Sequence, residues 1–296
     1  MSDNQTMSTN ELEARLQKAE NIRLRDGVVW KDKFERSHKI VDARELPDDT
    51  PVKLCGRITA LRWLGKLMFG RIYDIQGEIQ FSMSREEIGE EQYKFMKANV
   101  DMGDFIGITG VLYHTTAGEL TVKVSGYEIL SKALRPLPEK YHGLTDMETR
   151  YRQRYLDIIS NPESRNALYG RFQMTQNLRD FMNRHGFLEI ETPIMQNIAS
   201  GAAAKPFVTH HNALNADFQL RISPELFLKM AIGAGFDRVY EVAKDFRNEG
   251  MDAMHLQEFT MIEWYAAYWD YKKNIQFTWD MVQELIMKAR GTLQIE

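Results

Sequence analysis

The chain is poor in cysteine, in long apolar runs and in net charge, and each shortage excludes something. A single cysteine, Cys55, stands among 296 residues. It rules out an internal disulfide and fits a reducing cytosol. No apolar run approaches membrane-spanning length, and the first residues show no signal-peptide core, so no membrane span is predicted. The charges nearly cancel, at a formal net charge of −4. A polyanion would therefore have to meet a local basic patch rather than the molecule as a whole. Internal repeats and low-complexity tracts are also missing. What is left is the composition of a globular protein, long enough for two domains with their own cores.

Residues 1 to 10 are polar and expected to be disordered. From about Asn10 to Arg25, Leu12, Leu16, Ala19 and Ile22 recur at helical spacing, so positions 1–50 read as a helical extension. Strand-like runs follow at Val52–Ala60, Lys66–Asp74, Glu78–Met83, Phe105–Leu112 and Leu120–Ile129, with a helical stretch at Glu86–Ala98. Five short strands and one intervening helix predict an OB-fold β-barrel over 51–135. Pro136, Pro138 and Gly143 mark a linker over 136–160.

The second domain, 161–296, opens on a helix with Asn161 as N-cap, Pro162 at its first position and Gly186 as its stop. Leu168, Phe172, Leu178, Phe181 and Met182 form its apolar stripe. A strand to Pro193, a helix capped by Ser223 and a hairpin complete an antiparallel sheet flanked by helices, so the predicted class is α+β.

That hairpin carries the densest chemistry. Phe246-Arg247-Asn248-Glu249-Gly250 reads as one strand, and the run from His255 to Tyr265 as a loop and a second strand. Alternation of strand side chains puts Glu241, Asp245, Arg247 and Glu249 on one face of the first, and Phe259, Glu263 and Tyr265 on one face of the second. An arginine, several carboxylates and two aromatics on one floor suit a cationic small molecule and a phosphate. The same pattern also suits a hairpin with one wet face. In the first domain, Lys53, Arg57, Arg62, Lys66 and Arg71 fall within Pro51–Tyr73 without an acid between them. Phe69, Arg71 and Tyr73 share a strand face, and Gln80 is expected to point outward beside them. Basic groups, an aromatic and an amide together make a platform for single-stranded nucleic acid. The alternative is a solvated barrel face with Phe69 in the core.

The Arg-Asn-Glu-Gly strand, the histidine-bearing loop and Glu258-Phe259-Thr260 resemble motif 2 of the class II aminoacyl-tRNA synthetases. Glu263 and Tyr265 after them point to the lysyl branch. Gly186-Phe187-Leu188-Glu189-Ile190-Glu191-Thr192-Pro193 resembles motif 1. Gly201 to Phe207 with Thr209 to Asn212, Arg221 to Leu226, Leu134 to Pro138, and Arg150 to Asp157 resemble further stretches of that family in the same order. The resemblance implies activation of lysine by ATP to lysyl-adenylate, and transfer to tRNA(Lys). It also implies a cytoplasmic homodimer joined through the motif 1 helix and strand.

Residue by residue, the resemblance implies that Arg247 is the catalytic residue, bridging the lysine carboxylate and the α-phosphate as a planar guanidinium can. It implies Gly201, Glu225, Arg247, Glu263 and Tyr265 for lysine, with Glu225 and Gly201 at the α-amino group. Glu225 could instead simply favour its helix dipole, and Gly201 could be only a turn glycine. For ATP it implies Arg247, Glu249, His255 and Phe259, and for the anticodon Arg62, Phe69, Gln80 and Glu119. The chain departs from the family where His-Asn-Pro-Glu-Phe becomes His255-Leu256-Gln257-Glu258-Phe259. His210 and His211 lack the partners of a metal site and read as structural, so no metal ligand is assigned. Motif 3, with its second arginine and the carboxylates that hold Mg2+, does not occur before Glu296. The expectation is a truncated or fragment form, with Gln294 to Glu296 opening a strand. Two alternatives differ in class: a non-catalytic tRNA-binding or regulatory paralogue, and a synthetase-like enzyme that lysylates a protein.

Overall fold

The computed structural model describes residues 9–138, 144–250, 252 and 254–294. The polar start at 1–8, Gly143 of the linker and the strand-like end at 295–296 lie outside the described residues. Two compact units emerge, 1–165 and 166–296.

The first unit opens with helix α1 (Thr9–Asp26) and a single turn, α2 (Ile40–Ala43). Strands β1 (Pro51–Leu64), β2 (Leu67–Tyr73) and β3 (Glu78–Ser84) follow, then α3 (Arg85–Ile88), α4 (Glu90–Asn99), β4 (Phe105–His114) and β5 (Leu120–Ser131). The strands close in the order β1-β2-β3-β5-β4, with β1 bonded antiparallel to both β2 and β4 and only β3–β5 parallel. The predicted helix 86–98 is broken by Gly89, whose φ of +87° no L-side chain adopts cheaply.

Alternation builds the barrel core. Leu54, Ile58, Met68, Ile72, Ile79, Phe81 and Met83 point inward and are buried. Ile22 of α1 and Tyr93 and Met96 of α4 join them. Two glycines allow close packing. A Cβ on Gly70 would lie 2.3 Å from the Phe81 ring, and one on Gly110 would lie 2.1 Å from the Lys123 carbonyl oxygen. Outside the core, the buried ammonium of Lys132 lies 2.7 Å from Asp104, and Lys18 of α1 lies 2.6 Å from Asp101. The expected linker is not extended chain. It contains α5 (Met147–Arg152) and α6 (Arg154–Ser160), tied by Arg150 and Arg154 to the buried carboxylate of Asp157.

The second unit holds most of α7 (Pro162–Arg184), then β6 (Leu188–Glu189), β7 (Met195–Gln196), β8 (Val208–His211), β9 (Ala216–Leu220), α8 (Glu225–Gly233), β10 (Arg238–Phe246), β11 (Glu258–Ala266) and α9 (Tyr271–Arg290). The expected antiparallel sheet is mixed: β10 pairs antiparallel with β11 but parallel with the short β6. A second small sheet runs β7-β9-β8. Phe181 and Met182 of α7, Phe187, Tyr240, Phe277 and Met281 form the core. Phe172, expected in the same stripe, is 63% exposed. Gly186, at φ +75°, ends the α7 segment as anticipated. The Ser223 hydroxyl accepts the Glu225 N–H at 3.0 Å at the start of α8, the capping bond expected of it, although Pro224 stands directly before the helix. The same hydroxyl also reaches into the site.

Candidate functional site

The β10–β11 register brings the candidate residues together. Glu241 stands opposite Glu263, Asp245 opposite Phe259, and Val239 opposite Tyr265. This face is not the wet side of a hairpin: Glu241 is 6% exposed and Asp245 fully buried. The strand leaves its ladder earlier than the sequence suggests. β10 stops at Phe246, so Arg247, Asn248 and Glu249 are loop residues, held by the Arg247 N–H bonding the Gln257 carbonyl at 2.8 Å and the Asn248 N–H bonding the Lys205 carbonyl at 2.7 Å.

At one end of the floor, both oxygens of Glu263 accept neutral donors: the Tyr265 hydroxyl at 2.8 Å and the Ser223 hydroxyl at 2.9 Å. Burial raises the Tyr265 phenol well above its usual range, and the neighbouring Glu263 and Glu225 carboxylates add to this. Tyr265 therefore remains a donor, and it fixes the carboxylate while leaving lone pairs for an ammonium. Ser223 also accepts the Glu225 N–H at 3.0 Å, which places Glu225 beside Glu263 on the entry to α8. Gly201 lies against this pair. A Cβ there would be 2.8 Å from both the Ser223 hydroxyl and the Glu225 Cβ, and its φ is +92°. The glycine is thus required by close approach as well as by the turn. The Glu225 carboxylate already holds an ammonium, that of Lys229 one helical turn on. Gly201, Glu225, Glu263 and Tyr265 form one cluster.

At the other end, Arg247, Glu249, His255 and Phe259 line a single cavity of about 290 Å³ with Gly250, Met254 and Leu256. Its volume is close to the lower bound of small-molecule sites, roughly 300 Å³. The Arg247 guanidinium sits 5.1 Å from the Phe259 ring centroid and donates to the Ile222 carbonyl at 3.4 Å. One planar cation therefore borders both the cluster of acids and the cavity. Glu249 accepts the Lys205 N–H at 3.3 Å, and His255 meets Asp252. Gln257 helps to shape the loop by donating to the Glu249 carbonyl at 3.1 Å.

Sequence reasoning missed Arg221 and Thr192. Arg221, 2% exposed, donates to Glu241 at 2.7 Å, to the Thr192 hydroxyl at 2.9 Å and to the Lys244 carbonyl at 2.9 Å. Thr192 in turn donates to Glu241 at 2.7 Å. The available signal was an arginine next to Ile222-Ser223, unexplained by any surface role. His210 pairs with Asp217 across the β8–β9 hairpin at 2.8 Å, and His211 packs on Phe218. Among the described residues, no three His, Cys, Asp or Glu side chains gather as a metal site.

In the first unit, Phe69 is half-buried while Met68 beside it is fully buried, so Phe69 lies on the outer wall and not in the core. Arg62 pairs with Phe69 across β1–β2, and Gln80 pairs with Arg71 across β2–β3. Gln80 also donates to the Thr121 hydroxyl at 2.9 Å. Glu119 holds Arg71 at 2.9 Å. These side chains share one outer surface of the barrel.

Comparison with known proteins places both halves. Residues 146–296 match the family described as "tRNA synthetases class II (D, K and N)", and residues 52–130 match the "OB-fold nucleic acid binding domain". The chain is 49% identical over 276 residues to a protein named lysine–tRNA ligase from Aquifex aeolicus (strain VF5), covering 93% of this chain and 46% of that protein. It is 47% identical over 290 residues to one of the same name from Carboxydothermus hydrogenoformans, covering 97% and 59%. With a third, from Magnetococcus marinus, it shares 51% over 235 residues, covering 79% and 47%. The chain spans about half the length of these relatives.

Proposed function

Because the chain belongs to the class II tRNA synthetases of the D, K and N type, we propose that it is lysine-specific. The reaction is ATP-dependent activation of lysine to lysyl-adenylate, followed by transfer to tRNA(Lys). The observation that carries the amino-acid assignment is the fixed Glu263 carboxylate beside Glu225. Lysine carries two ammonium groups, and burying an ammonium is costly unless a carboxylate meets it. Glu263 with Tyr265 suits the side-chain ammonium; Glu225 with the backbone at Gly201 suits the α-amino group. A substrate ammonium at Glu225 takes the place that the Lys229 ammonium holds in the free chain.

The chemistry follows from the position of Arg247. The lysine carboxylate is the nucleophile and the α-phosphate the electrophile, and both are anionic. A guanidinium between them offsets the repulsion and orients the in-line attack. No general base is required, since the carboxylate is already ionised. Glu249 is assigned to the adenine, Phe259 to stacking on it, and His255 to the phosphates. Their shared cavity supports this. Mg2+ accompanies ATP in this reaction and would offset phosphate charge, and the steps assigned here run through the side chains named. Arg62, Phe69, Gln80 and Glu119 are assigned to the anticodon. The exposed Phe172 and Met174 of α7 suit a homodimer joined through that helix, and the lone cysteine suits the cytoplasm.

The test is titration calorimetry with lysine and, separately, ATP. Glu263→Gln keeps the shape and removes the charge. It is expected to weaken lysine binding by a hundredfold or so, the scale of losing a buried ion-pair partner, and to leave ATP binding within about twofold. Equal loss of both contradicts the side-chain assignment.

A further inference from the structure

Asp245 is a carboxylate without a donor. It is fully buried, and neither oxygen has a hydrogen-bond partner. Its nearest cation is the Arg221 Nε at 3.4 Å, but that N–H is directed at the Lys244 carbonyl. Buried carboxylates are ordinarily satisfied, and an unpaired one costs stability. Such an expense, held on the strand that forms a binding floor, points to a functional use.

Asp245 lies two residues before Arg247 and opposite Phe259, on the face that carries Glu241 and Glu263. The charged groups facing it are Arg221 from the segment after β9, Glu241 and Arg247 from β10 and the residue beyond it, and Glu263 from β11. Glu241 is neutralised by Arg221. Glu263 is met only by neutral hydroxyls. Among the groups around the acid cluster, the four carboxylates of Glu225, Glu241, Asp245 and Glu263 outnumber the three cations Arg221, Arg247 and Lys229 by one, and without the Asp245 charge the two sets would balance. Lysine carries one net positive charge. A neutral amino acid carries none and would leave the excess uncompensated.

We propose that Asp245 is a specificity-determining residue of the amino-acid site: its buried carboxylate makes the floor net anionic and so favours a substrate with two ammonium groups over a zwitterion. It does so through its field, without touching the substrate, which is effective because a low-dielectric interior screens little. The proposal rests on the lysine reading given above. It has a second consequence. Burial, together with repulsion from Glu263 and Glu241 and opposed by Arg221 and Arg247, pushes the Asp245 carboxyl up to about 6. The floor therefore loses its excess negative charge in mildly acidic solution.

The experiment is calorimetric titration of the full chain with lysine and with norleucine, without ATP, from pH 5.0 to 7.5, in the natural protein and in Asp245→Asn. The substitution is near-isosteric and removes a penalty, so it is expected to fold. At pH 7.5 it is expected to weaken lysine roughly tenfold, as loss of one poorly screened charge would, and to leave norleucine unchanged or improved. The natural protein is expected to lose lysine affinity between pH 7 and pH 5, and the variant to lose much less. Lysine binding that is equal in affinity and pH profile in the two proteins overturns this proposal alone. A parallel loss of lysine and norleucine also overturns it, as a merely structural effect. No lysine binding by the natural protein at any pH overturns both this proposal and the lysine reading beneath it.

Discussion

Asp245 has a stability consequence apart from any ligand. Its carboxyl is raised in the folded chain to about 6, so the folded state binds the proton more tightly than the unfolded state does. The sign follows. Folding is unpenalised below the unfolded value, near pH ~4, and stability falls as the pH rises through about 6. The full penalty at neutral pH is about 3 kcal/mol. Asp245→Asn is therefore expected to raise the thermal midpoint at pH 7.5 and to have little effect at pH 4, as followed by circular dichroism. A loss of stability at pH 7.5 would mean that Arg221 depends on the charge more than the charge costs. Residue identity was legible at this scale where it belonged to a pattern: Glu241, Asp245, Glu263 and Tyr265 lie on the strands that alternation assigned them to, whereas Arg247 lies in the loop beyond β10. Burial was not legible. What covers Asp245 comes from Arg221, far away in sequence, and alternation names a face without saying what lies over it.

Elements bounded by local chemistry carry their limits in the sequence. α9 starts after Asp270, whose side chain accepts the Lys273 N–H at 2.9 Å, and ends at Gly291 with φ +71°. Both signals are in the sequence. The barrel strands also fell where period-two alternation put them, because one face of each must be apolar. Elements set by tertiary partners were not legible: the parallel pairing of β6, the exit of β10 at Phe246 and the exposed half of α7. Two predictions belong here. Gly110→Ala forces a Cβ to within 2.1 Å of the Lys123 carbonyl oxygen, which is backbone and cannot swing away. It is expected to cost about 2 kcal/mol or more, read as a lower urea midpoint. On the barrel's outer wall, Phe69→Ala removes a stacking surface worth about 1–3 kcal/mol per base. Binding to a lysine anticodon stem-loop is expected to fall roughly tenfold in a filter titration, and to weaken with salt for both proteins. Unchanged affinity would leave the outer wall without a role in RNA recognition.

At the scale of the molecule, the first unit offers a basic and aromatic outer wall and the second a floor with paired acids, an arginine and a cavity. That division is the one the proposed function calls for. The central claim is that the floor selects lysine. It is tested most directly by titrating the full 296-residue chain with lysine, arginine, aspartate, asparagine and norleucine under one set of conditions. Measurable binding of lysine, at least tenfold tighter than any of the others, is the expected result. Equal or tighter binding of aspartate or asparagine would contradict it, and would assign Glu225 and Glu263 to structure rather than to the substrate's ammonium groups.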